Sequence, residues 1–561
     1  MKKILFFLIL SFFGLSTIAQ VPTWQWATDA SYYNNINFVG EGGNVSLDAS
    51  ENVYFCGFWS YCDTMAFGND TLVSDSGYPQ IFLTKYNASG NLIWAKGSQG
   101  NGNILQFPNL VNDVFGNVYL TGSYSQGPVS FGSYTLDSSS QSCFYLVKYD
   151  SSGTILWVRS SDTSSNIVSA VSESTDINGN IYVTGTFNSP TITFGSFTLT
   201  NQSYENIFIV KYNSSGNVIW AKSPIDNGLV ESISITTDPA SNSYITGNYD
   251  SSSVVFGNDT LIYDGQNSFY IAKYDSSGHV LWAKDASSSY YYERGNIVTT
   301  SSSNYVYVTG SFSDSTISFD SFTLVNPNYS NNWISEFLIK YDSSGNVIWA
   351  NLIYSYPNGG IFNLCSDING NFYISGAMPP YPANFDTITL QVPGGSLDPL
   401  FIVKYDSSGH ALWGLALASG GDDLNGVALS PSNNIYIGGD FMIYPFIIGN
   451  DTLNNYATEI PFLAKLGFGS LEGITYTKKV HRNISLYPNP TSCTITLSYN
   501  SQTPILNSQL KIYDVLGQEV YTQAITNPNQ TTINVSQLSN GVYFYQLTNN
   551  TETYRGKFVK E

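Results

Sequence analysis

Tryptophan recurs at a nearly constant interval along most of this 561-residue chain, and that interval constrains the fold more than any other feature. Seven of the ten tryptophans are separated by 62 to 68 residues. They are Trp26, Trp94, Trp157, Trp220, Trp282, Trp349 and Trp413. A fixed period of this size, carried by strand-like sequence, indicates a repeat architecture in which each repeat is one structural unit.

Each repeat contains four main strand-like runs, as its fifth copy illustrates. Residues 296–300, 305–312, 337–341 and 346–350 are rich in β-branched and aromatic residues, and a hairpin-like run, 317–324, lies between the second and third runs. Gly, Asn, Asp and Ser bound these runs, which is typical of strands joined by tight turns. We find no helical period in this part of the sequence.

Two further residue types recur in register with the tryptophans. A glycine ends the second strand and a lysine lies in the third strand of every repeat. The glycines are Gly57, Gly122, Gly185, Gly247, Gly310, Gly376 and Gly439, and the lysines are Lys85, Lys148, Lys211, Lys273, Lys340, Lys404 and Lys465. Seven units of four strands predict an all-β fold, a seven-bladed β-propeller.

The order of these landmarks also predicts how the ring closes. The first tryptophan strand, Trp24 to Thr28, precedes the first complete repeat, and the last repeat ends at Lys465 and Leu466 without such a strand. The N-terminal strand can therefore supply the outer strand of the seventh blade, which hides two sheet edges. An open solenoid is the alternative architecture, and it would need no such arrangement.

The repeat resembles the bacterial surface β-propeller repeat family. Its Gly-Asn-x-Tyr-x-x-Gly and Lys-Tyr-Asp-x-x-Gly-x-x-x-Trp elements recur in register over about residues 24 to 468. The seventh unit departs from the pattern, because Leu466 replaces the tyrosine and residues 467–469 replace the Asp-Ser-Ser-Gly turn. The resemblance implies the propeller fold and does not imply a specific ligand.

The N-terminus has the pattern of a secretory signal peptide. Lys2 and Lys3 precede an apolar run from Ile4 to Leu15, and small residues lead to Ala19, after which we expect cleavage. The apolar run is shorter than the ~20 residues that a membrane-spanning helix needs. The Sec translocon is therefore an expected partner, and we expect no transmembrane helix.

The sequence changes character after the last repeat. We predict a signal peptide over 1–19, the propeller over 20–469, a linker over 470–483 and a small immunoglobulin-like β-sandwich over 484–561. Alternating apolar residues and turn residues in this last segment favour the sandwich.

The C-terminal segment resembles the type A sorting domain of the type IX secretion system. The matching residues are Tyr487, Pro488, Asn489, Pro490, Gly517, Gly541 and Lys557. The resemblance implies a bacterium of the Bacteroidetes kind and outer-membrane translocation by the type IX machinery. It also implies removal of this domain and a protein that is secreted or attached to the outer cell surface. An ordinary carbohydrate-binding or fibronectin-like sandwich is the alternative.

Charge and cysteine content narrow the possible functions. With 21 basic and 41 acidic residues, the net charge is −20, so the clustered Lys and Arg that nucleic acids require are missing. Cys56 and Cys62 flank a turn-like segment and are a candidate disulfide in an oxidising compartment. We expect Cys143, Cys365 and Cys493 to be buried free thiols. No Cys/His cluster predicts a metal site, and we expect no cofactor.

Catalytic residues are not apparent in the sequence. His279 and His410 follow the same turn glycine in two repeats, which indicates exposed turn residues. Residues 176–180 and 367–371 faintly resemble calcium loops, but they lack the further acidic ligands that calcium requires, and turns are the favoured interpretation. Residues that recur in every repeat belong to the scaffold, whereas a site is asymmetric.

Candidate ligand-binding residues are those that break the repeat on the connections between blades. They are Tyr290, Tyr291, Tyr292, Glu293, Arg294, Tyr354 and Tyr356. Binding sites commonly lie on loops that a rigid scaffold holds. Exposed tyrosines beside carboxylates suit polysaccharide, and packing of these rings between blades is the alternative.

We therefore predict a monomeric, non-enzymatic protein that binds polysaccharide or another surface protein. The rival prediction is a carbohydrate-active enzyme, a glycosidase or lyase, with its carboxylates in the propeller channel. Two non-repeating carboxylates about 5 to 10 Å apart in that channel would favour the enzyme. A channel filled by apolar side chains would favour the binding protein.

Overall fold

The computed structural model divides into two compact units, Met1–Gly469 and Ser470–Glu561, and each is described by itself. The predicted signal peptide and the predicted linker lie outside the described residues. The described residues are 22–32, 39–60, 64–74, 77–106, 108–137, 142–163, 168–262, 267–288, 293–331, 333–356, 360–391, 399–417, 423–442, 446–453, 459–467, 484–487, 489–499, 509–514, 518–525, 530–548 and 553–561.

Over its described residues, the first unit contains seven main antiparallel sheets, sheet 1 to sheet 7 in chain order, and seven smaller hairpin sheets; each main sheet has an inner, a second, a third and an outer strand. The inner strands are Val39–Leu47, Asn103–Ile104 with Asn109–Asn112, Val168–Thr175, Leu229–Thr237, Glu293–Thr300, Gly360–Ser366 and Asp423–Leu429. The second strands are Val53–Ser60, Val118–Ser125, Ile181–Phe187, Ser243–Asp250, Val306–Phe312, Phe372–Ala377 and Ile435–Phe441. The third strands are Gln80–Tyr86, Cys143–Tyr149, Asn206–Tyr212, Ser268–Tyr274, Ile334–Tyr341, Leu400–Tyr405 and Ile460–Gly467. The outer strands are Leu92–Gly97, Ile155–Ser160, Val218–Lys222, Val280–Asp285, Val347–Tyr356, Ala411–Leu417 and, for sheet 7, Thr23–Asp29.

A small hairpin joins the second strand of each sheet to its third strand. In sheet 1 the hairpin is fastened to the outer strand, because a carboxyl oxygen of Asp70 accepts a hydrogen bond from the backbone amide of Ala95 at 3.0 Å. The hairpins are Thr64–Phe67 with Asp70–Val73, Val129–Phe131 with Tyr134–Leu136, Thr191–Phe194 with Phe197–Thr200, Ser253–Phe256 with Asp259–Ile262, Thr316–Phe319 with Phe322–Val325, Ala383–Phe385 with Ile388–Leu390, and Phe446–Ile448 with Asp451–Leu453. Two-residue strands extend five hairpins, namely Ser31–Tyr32, Gln99–Gly100, Asp162–Thr163, Ile225–Asp226 and Ser287–Ser288.

The described residues contain one helical element, the 3₁₀ turn Tyr329–Asn331. The predicted all-β class is therefore confirmed. In the same residues we find no helix with the length and apolar character needed to cross a membrane.

The seven sheets close into a ring around their inner strands. The inner strands of consecutive sheets pack against each other, and the inner strand of sheet 7 packs against that of sheet 1. Each sheet is thus covered on both faces, which requires apolar side chains on both faces. Every residue of the third strands Gln80–Tyr86, Cys143–Tyr149 and Asn206–Tyr212 is accordingly buried. The hydrophobic core therefore lies between the sheets.

The N-terminal strand forms the seam of this ring. Thr23–Asp29 pairs antiparallel with Ile460–Gly467 and becomes the outer strand of sheet 7. This confirms the prediction that the N-terminal strand completes the last repeat. Across the seam, Nε1 of Trp26 donates to the carbonyl oxygen of Ala88 in sheet 1 at 3.2 Å. Nζ of Lys465 donates to the same oxygen at 3.1 Å.

A buried lysine of the third strand fastens one sheet to the next. In sheet 2, Nζ of Lys148 lies 3.4 Å from a carboxyl oxygen of Asp113 and donates to the carbonyl oxygen of Ser214 in sheet 3 at 3.1 Å. Nε1 of Trp157 donates to the same oxygen at 3.1 Å. The ammonium group also lies 4.8 Å from the centre of the Tyr119 ring, within the range of a cation–π contact. The recurring lysine and tryptophan therefore both bind one carbonyl oxygen of the next sheet and hold the two sheets together.

Sheet 7 obtains its carboxylate from sheet 1. Ser430 occupies the turn position that Asp113 has in sheet 2, and Glu51 lies 4.0 Å from Nζ of Lys465 instead. Oε2 of Glu51 also accepts hydrogen bonds from Nδ2 of Asn434 at 3.1 Å and from the hydroxyl of Tyr436 at 3.4 Å. The seam is thus held by side chains as well as by backbone pairing.

The structure corrects the predicted disulfide between Cys56 and Cys62. Cys56 is a free and fully buried thiol, and its Sγ donates to the carbonyl oxygen of Pro108 at 3.0 Å. Cys62 lies outside the described residues. Among the other thiols, Cys143 is buried, Cys365 is partly buried and Cys493, contrary to expectation, is exposed.

The second unit consists of two antiparallel sheets. One contains Ile484–Tyr487, Thr494–Tyr499 and Gln530–Asn534, and the other contains Glu519–Ala524, Gln509–Tyr513, Gly541–Thr548 and Thr553–Lys560, in the order of pairing. Alternate apolar residues of both sheets form one buried core. Its fully buried members include Ile495, Leu497, Leu510, Ile512, Leu547 and Phe558.

We predict that Trp26→Ala opens the ring, whereas Trp157→Ala only destabilises it. Each change removes a large side chain and one hydrogen bond, which should lower the free energy of unfolding by about 3 kcal/mol. Loss of Trp26 also frees the edge of sheet 7, and free edges pair with other chains. Urea denaturation and size-exclusion chromatography measure the two effects. Equal monomer fractions for both variants would contradict the role of the seam.

Candidate functional site

Glu293 and Arg294, two of the predicted site residues, begin the inner strand of sheet 5. The tyrosines at 290–292 lie outside the described residues. Glu293 is 1% exposed, and its backbone amide donates to the carbonyl oxygen of Asn267 in sheet 4 at 2.8 Å. Arg294 follows and is partly buried. The four strands of a sheet alternate in direction, so each outer strand ends on the side of the ring where the next inner strand begins. The connections between sheets lie on this side, which we call the connection face.

Tyr354 belongs to the core between sheets 5 and 6. Its ring is 8% exposed and packs edge-on against Phe385 and Phe401, with ring centres 5.5 and 5.8 Å away. Tyr354 is therefore a core residue that packs between sheets, as the alternative to a ligand-binding role predicts. Tyr356 ends the outer strand Val347–Tyr356, and its side chain lies outside the described part of the structure.

Glu336 breaks the repeat in the third strand of sheet 5. The residues at the equivalent position of the other six sheets are Ile81, Phe144, Ile207, Phe269, Leu400 and Pro461. Glu336 is 5% exposed, and its Oε2 has no hydrogen-bond partner among the described residues. Burial raises the pKa of its carboxyl to about 8, although the Arg294 guanidinium acts in the opposite direction. This carboxyl is therefore protonated at neutral pH.

Arg294, Ser311 and Glu336 form one row across sheet 5. Arg294 pairs with Ser311, and Ser311 pairs with Glu336. Directly paired residues place their side chains on the same face of a sheet. In sheet 6, a β-carbon at Gly360 would lie 3.9 Å from a carboxyl oxygen of Glu336. Glycine at this position therefore leaves room beside the row.

Asn248 continues this polar layer into sheet 4. Its Nδ2 donates to Oε2 of Glu231 at 3.0 Å and lies 3.5 Å from Oδ1 of Asn267. Asn248 is 2% exposed, and its Oδ1 has no hydrogen-bond partner in the described part of the chain. Since Asn267 also accepts the hydrogen bond from the Glu293 amide, the contacts run without interruption from sheet 5 to Glu231.

Two carboxyl groups extend the layer toward sheet 3. Burial raises the pKa of Glu205, and the nearby charge of Glu231 raises it further against a hydrogen bond from Thr186. Burial raises the pKa of Asp226 to about 6, although Nδ2 of Asn206 lies within 3.3 Å of its Oδ1. We call the following five residues the acidic arc: Glu205, Asp226, Glu231, Glu293 and Glu336. Arg294 lies within it.

The acidic arc provides hydrogen-bonding groups of several kinds at the connection face. Its ionised carboxylates accept hydrogen bonds, and its protonated carboxyls can also donate them. Three of its members, Glu205, Asp226 and Glu231, are partly exposed. In the described residues, no three His, Cys, Asp or Glu side chains are grouped so that they could hold a metal ion. The arrangement therefore suits a hydroxyl- or amine-bearing ligand.

Sequence reasoning missed most of the arc, since it singled out only Glu293 among its members as a site residue. Glu293 and Glu336 are visible as exceptions once the repeats are aligned on the second-strand glycine, whereas Glu231 has an acidic counterpart in Glu41 of sheet 1. Glu336 is the clearest case, because an apolar residue stands at its position in every other sheet.

Glu173 is a second exception of this kind, in the inner strand of sheet 3. Its equivalents in the other sheets are Val45, Leu110, Ile235, Val298, Leu364 and Val427. The hydroxyl of Thr121 in sheet 2 donates to its Oε2, and Oε1 is buried without a hydrogen-bond partner in the described structure. Burial raises the pKa of Glu173 to about 8. Among the described residues, Glu173 thus bonds to Thr121 of sheet 2.

The repeated polar residues are scaffold. Oδ1 of Asp176 accepts hydrogen bonds from the backbone amides of Asn178 and Asn180 at 2.9 and 3.0 Å, so this calcium-like segment is a turn closed by its own side chain. The side chains of His279 and His410 are 74% and 71% exposed. Both histidines lie on turns, where each ring contacts an aspartate, His279 with Asp275 and His410 with Asp386.

The motif residues of the second unit meet around its last strand. Oδ1 of Asn489 accepts from the backbone amide of Val559 at 2.8 Å, and the amide of Thr491 donates to the carbonyl oxygen of Val559 at 2.9 Å. Gly541 begins the strand that pairs with Thr553–Lys560. Tyr487 is 48% exposed, and Lys557 is also exposed. Pro488 and Gly517 lie outside the described residues, and Pro490 follows Asn489.

Residues 485–561 match the family described as the secretion system C-terminal sorting domain. The chain carries a C-terminal sorting domain. This domain indicates secretion and attachment to the cell surface through the type IX secretion system, whose machinery is therefore a partner. The predicted localisation is confirmed.

An uncharacterized WD repeat-containing protein of Acanthamoeba polyphaga mimivirus is 24% identical over 529 residues. The match covers 76% of this chain and 36% of the viral protein, so the chain spans about a third of that relative's length. Together with the closed ring of repeated sheets, this similarity identifies the first unit as β-propeller-like.

Several solved structures are similar at low identity. A protein of unknown function from Dyadobacter fermentans is 9% identical with a TM-score of 0.34, and the match covers 79% of this chain and 98% of that protein. An apocarotenoid oxygenase of Synechocystis is 8% identical with a TM-score of 0.34, over 78% and 94% of the two chains. Puromycin hydrolase is 9% identical with a TM-score of 0.33, over 76% and 62%. At these TM-scores the similarities carry no argument about function.

We predict that Glu173→Leu, which restores the apolar residue of the repeat, stabilises the protein more as the pH rises. Folding raises the pKa of this carboxyl from 4.5 to about 8. The stability that its protonated form contributes is therefore fully present below pH 4.5 and is lost as the pH rises to about 8. Relative to the native protein, the variant should gain on the order of 2 to 4 kcal/mol at about pH 9 and much less at about pH 5.

Urea denaturation at the two pH values measures this difference. Ile235→Leu is the matched control, because it changes an apolar residue at the same position of sheet 4 and should give no pH-dependent gain. An equal gain for Glu173→Leu at both pH values would show that the carboxyl is ionised in the folded protein.

Proposed function

We propose that this protein is a secreted, surface-attached, seven-bladed β-propeller that binds polysaccharide without catalysing a reaction. The seven four-stranded sheets support the blade count, with the N-terminal strand as the seventh outer strand. In this proposal the chain acts as a monomer, residues 1–19 are a signal peptide for the Sec translocon, and residues 484–561 are a removable immunoglobulin-like domain. The host is a bacterium of the Bacteroidetes kind.

The observation that carries the binding function is the acidic arc. It lies on the face where the connections between sheets gather, and it contains residues that depart from the repeat. Oε2 of Glu336 and Oδ1 of Asn248 are buried without hydrogen-bond partners among the described residues. A buried polar atom without a hydrogen-bond partner calls for an explanation. The partly exposed carboxyls of Glu205, Asp226 and Glu231 are accessible to sugar hydroxyls.

The tyrosines at 290–292 belong to the same proposal. They immediately precede Glu293 and have no counterpart in the other repeats. Aromatic rings next to carboxyl groups are suited to sugars, because the ring covers an apolar sugar face while the carboxyl groups bind hydroxyls.

A glycosidase is the second candidate, and one observation favours it. Glu336 is protonated at neutral pH because burial raises its pKa to about 8, and a glycosidase needs such a general acid. The enzyme would also need an ionised carboxylate about 5 to 10 Å from that acid. Release of reducing ends from a polysaccharide panel, lost on Glu336→Gln, would establish this alternative.

We predict that removal of residues 484–561 leaves the protein in the periplasm. The sorting domain directs passage through the outer membrane, so the first unit should be exported to the periplasm and stop there. Fractionation of cells that express the truncated chain measures this. Asn489→Ala tests the same function in the complete chain, because it removes the side chain that accepts a hydrogen bond from the last strand. Normal surface display of the truncated chain would contradict the proposal.

We predict that replacing the tyrosines at 290–292 together by alanine abolishes glycan retention and changes Tm by less than about 2 °C. Rings that contact a ligand should contribute little to folding, whereas core rings should contribute a great deal. A glycan array of the secreted protein, read alongside thermal unfolding, separates these cases. Tyr354→Ala is the control, because that ring is core and its loss should lower Tm strongly. Full glycan retention by the triple variant would contradict the binding site.

A further inference from the structure

We propose that a cavity on the side of the ring opposite the connection face binds one neutral sugar unit, the end or a branch of a polysaccharide. The turns between inner and second strands lie on this side, which we call the turn face. The cavity has a volume of about 220 Å³ and lies where the inner strands of sheets 3, 4 and 5 end. The inference goes beyond the proposed function, because this cavity shares no residue with the acidic arc.

Three threonines line the cavity, one at the end of each inner strand: Thr175, Thr237 and Thr300. Each hydroxyl donates to a backbone carbonyl oxygen of the preceding sheet, at 2.9 Å for Thr175, 2.8 Å for Thr237 and 2.7 Å for Thr300. Because these O–H groups are committed to the backbone, the hydroxyl oxygens have only lone pairs to offer a ligand. The cavity is therefore lined by hydrogen-bond acceptors whose orientation is fixed before a ligand arrives.

This hydroxyl lining is confined to part of the ring. The equivalent residues of the other sheets are Leu47, Asn112, Ser366 and Leu429. Sheets 1 and 7 thus have leucines where sheets 3, 4 and 5 have threonines. A ring of identical residues would be scaffold, whereas this arrangement gives the turn face one polar sector, and the cavity lies in that sector.

The charged groups of the lining are already occupied. They are Asp176 and Asp238, whose side chains are 0% and 3% exposed. Each carboxylate lies near a lysine of its own sheet, Lys211 at 3.6 Å and Lys273 at 3.9 Å, and accepts hydrogen bonds from its own turn. A charged ligand would therefore find no available counter-charge in the described lining. A neutral compound with several hydroxyl groups can donate to the threonine oxygens.

Apolar side chains lie beside these acceptors. Ile177 lines the cavity and is 57% exposed. Phe115 of sheet 2 is 66% exposed, and its Cε2 lies 2.9 Å from the point that a β-carbon at Gly179 would occupy. The ring therefore packs against the turn that carries Ile177. The equivalent residues of the other six turns are small or polar, namely Ser50, Asn178, Ala240, Ser303, Asn369 and Ser432.

A sugar unit matches this combination of groups and the size of the cavity. One face of a sugar ring presents C–H groups that can cover an aromatic or aliphatic side chain, while the hydroxyls at its edge donate hydrogen bonds. The volume of about 220 Å³ is below the roughly 300 to 1,000 Å³ of pockets for drug-sized ligands. The cavity therefore admits a single unit, and a polysaccharide would enter by an end or a branch.

The experiment is saturation-transfer difference NMR on the complete chain, with the methyl glycosides of glucose, galactose and mannose as probes. We expect at least one to bind. Phe115→Ser, which gives this turn the serine of sheets 1, 5 and 7, and Thr237→Val, which removes one acceptor, should each weaken binding by about threefold or more. Ile447→Ser changes an exposed apolar residue outside the cavity. Ser366→Ala removes a hydroxyl that donates to the carbonyl oxygen of Thr300 at 2.9 Å. Neither of these two controls should change binding.

The possible outcomes separate this inference from the proposed function. If no glycoside binds, or if the controls weaken binding as much as Phe115→Ser does, the cavity is not a sugar site, and glycan retention on an array still supports the proposed function. If glucuronate or glucosamine binds more tightly than methyl glucoside, the neutral ligand class is wrong.

Two further results locate the binding. If alanine at 290–292 abolishes glycoside binding and Phe115→Ser does not, the sugar binds at the connection face and the cavity is overturned. If binding depends on Phe115 but no polysaccharide is retained on the array, the cavity is supported and the proposed function is overturned. Should Thr237→Val fail to fold, the exposed position of Phe115 still allows the comparison with Ile447→Ser to decide.

Discussion

Six buried lysines of the third strands hold the first unit together, because each of the six donates to a carbonyl oxygen of the following sheet. The pattern recurs from Lys85 through Lys340 and returns to the start of the chain at Lys465, which binds Ala88. A buried ammonium group without partners is very unfavourable. In an open array the last lysine would lack its acceptor, so this interaction favours a closed ring as strongly as the shared core does.

Sheets 5 and 7 show how the interaction tolerates a missing aspartate. In sheet 7, Glu51 of sheet 1 takes the role of the carboxylate. In sheet 5, Lys340 lies 4.1 Å from the centre of the Tyr305 ring and still donates to the carbonyl oxygen of Ser407 at 2.8 Å. Burial lowers the pKa of Lys340, and the ring supplies part of the missing negative potential. The contact to the neighbouring sheet is thus retained while the counter-charge varies.

The strands, their order and the closing role of Thr23–Asp29 could be predicted because the same pattern of strand and turn residues recurs in seven repeats. The site could not be predicted as well. Tyr354 was a candidate because it lies on a connection, yet its ring turns into the core between sheets 5 and 6. Glu336 was missed because its strand resembles the others until the repeats are aligned residue by residue. The predicted disulfide is wrong because proximity in the sequence does not reveal that the Cys56 thiol is buried and donates to the carbonyl oxygen of Pro108.

Glu173 and Glu336 illustrate how a polar exception differs from a site. Each occupies an apolar position of the repeat, and burial raises the pKa of each to about 8, so each weakens the ring at high pH. Glu173 has one hydrogen bond, from Thr121, within an otherwise apolar interface. Glu336 lies beside Arg294, at the end of a continuous series of contacts that reaches Glu231 and Glu205 in two other sheets. The charge of Glu231 helps to raise the pKa of Glu205, so this series, unlike Glu173, links carboxyl groups of neighbouring sheets.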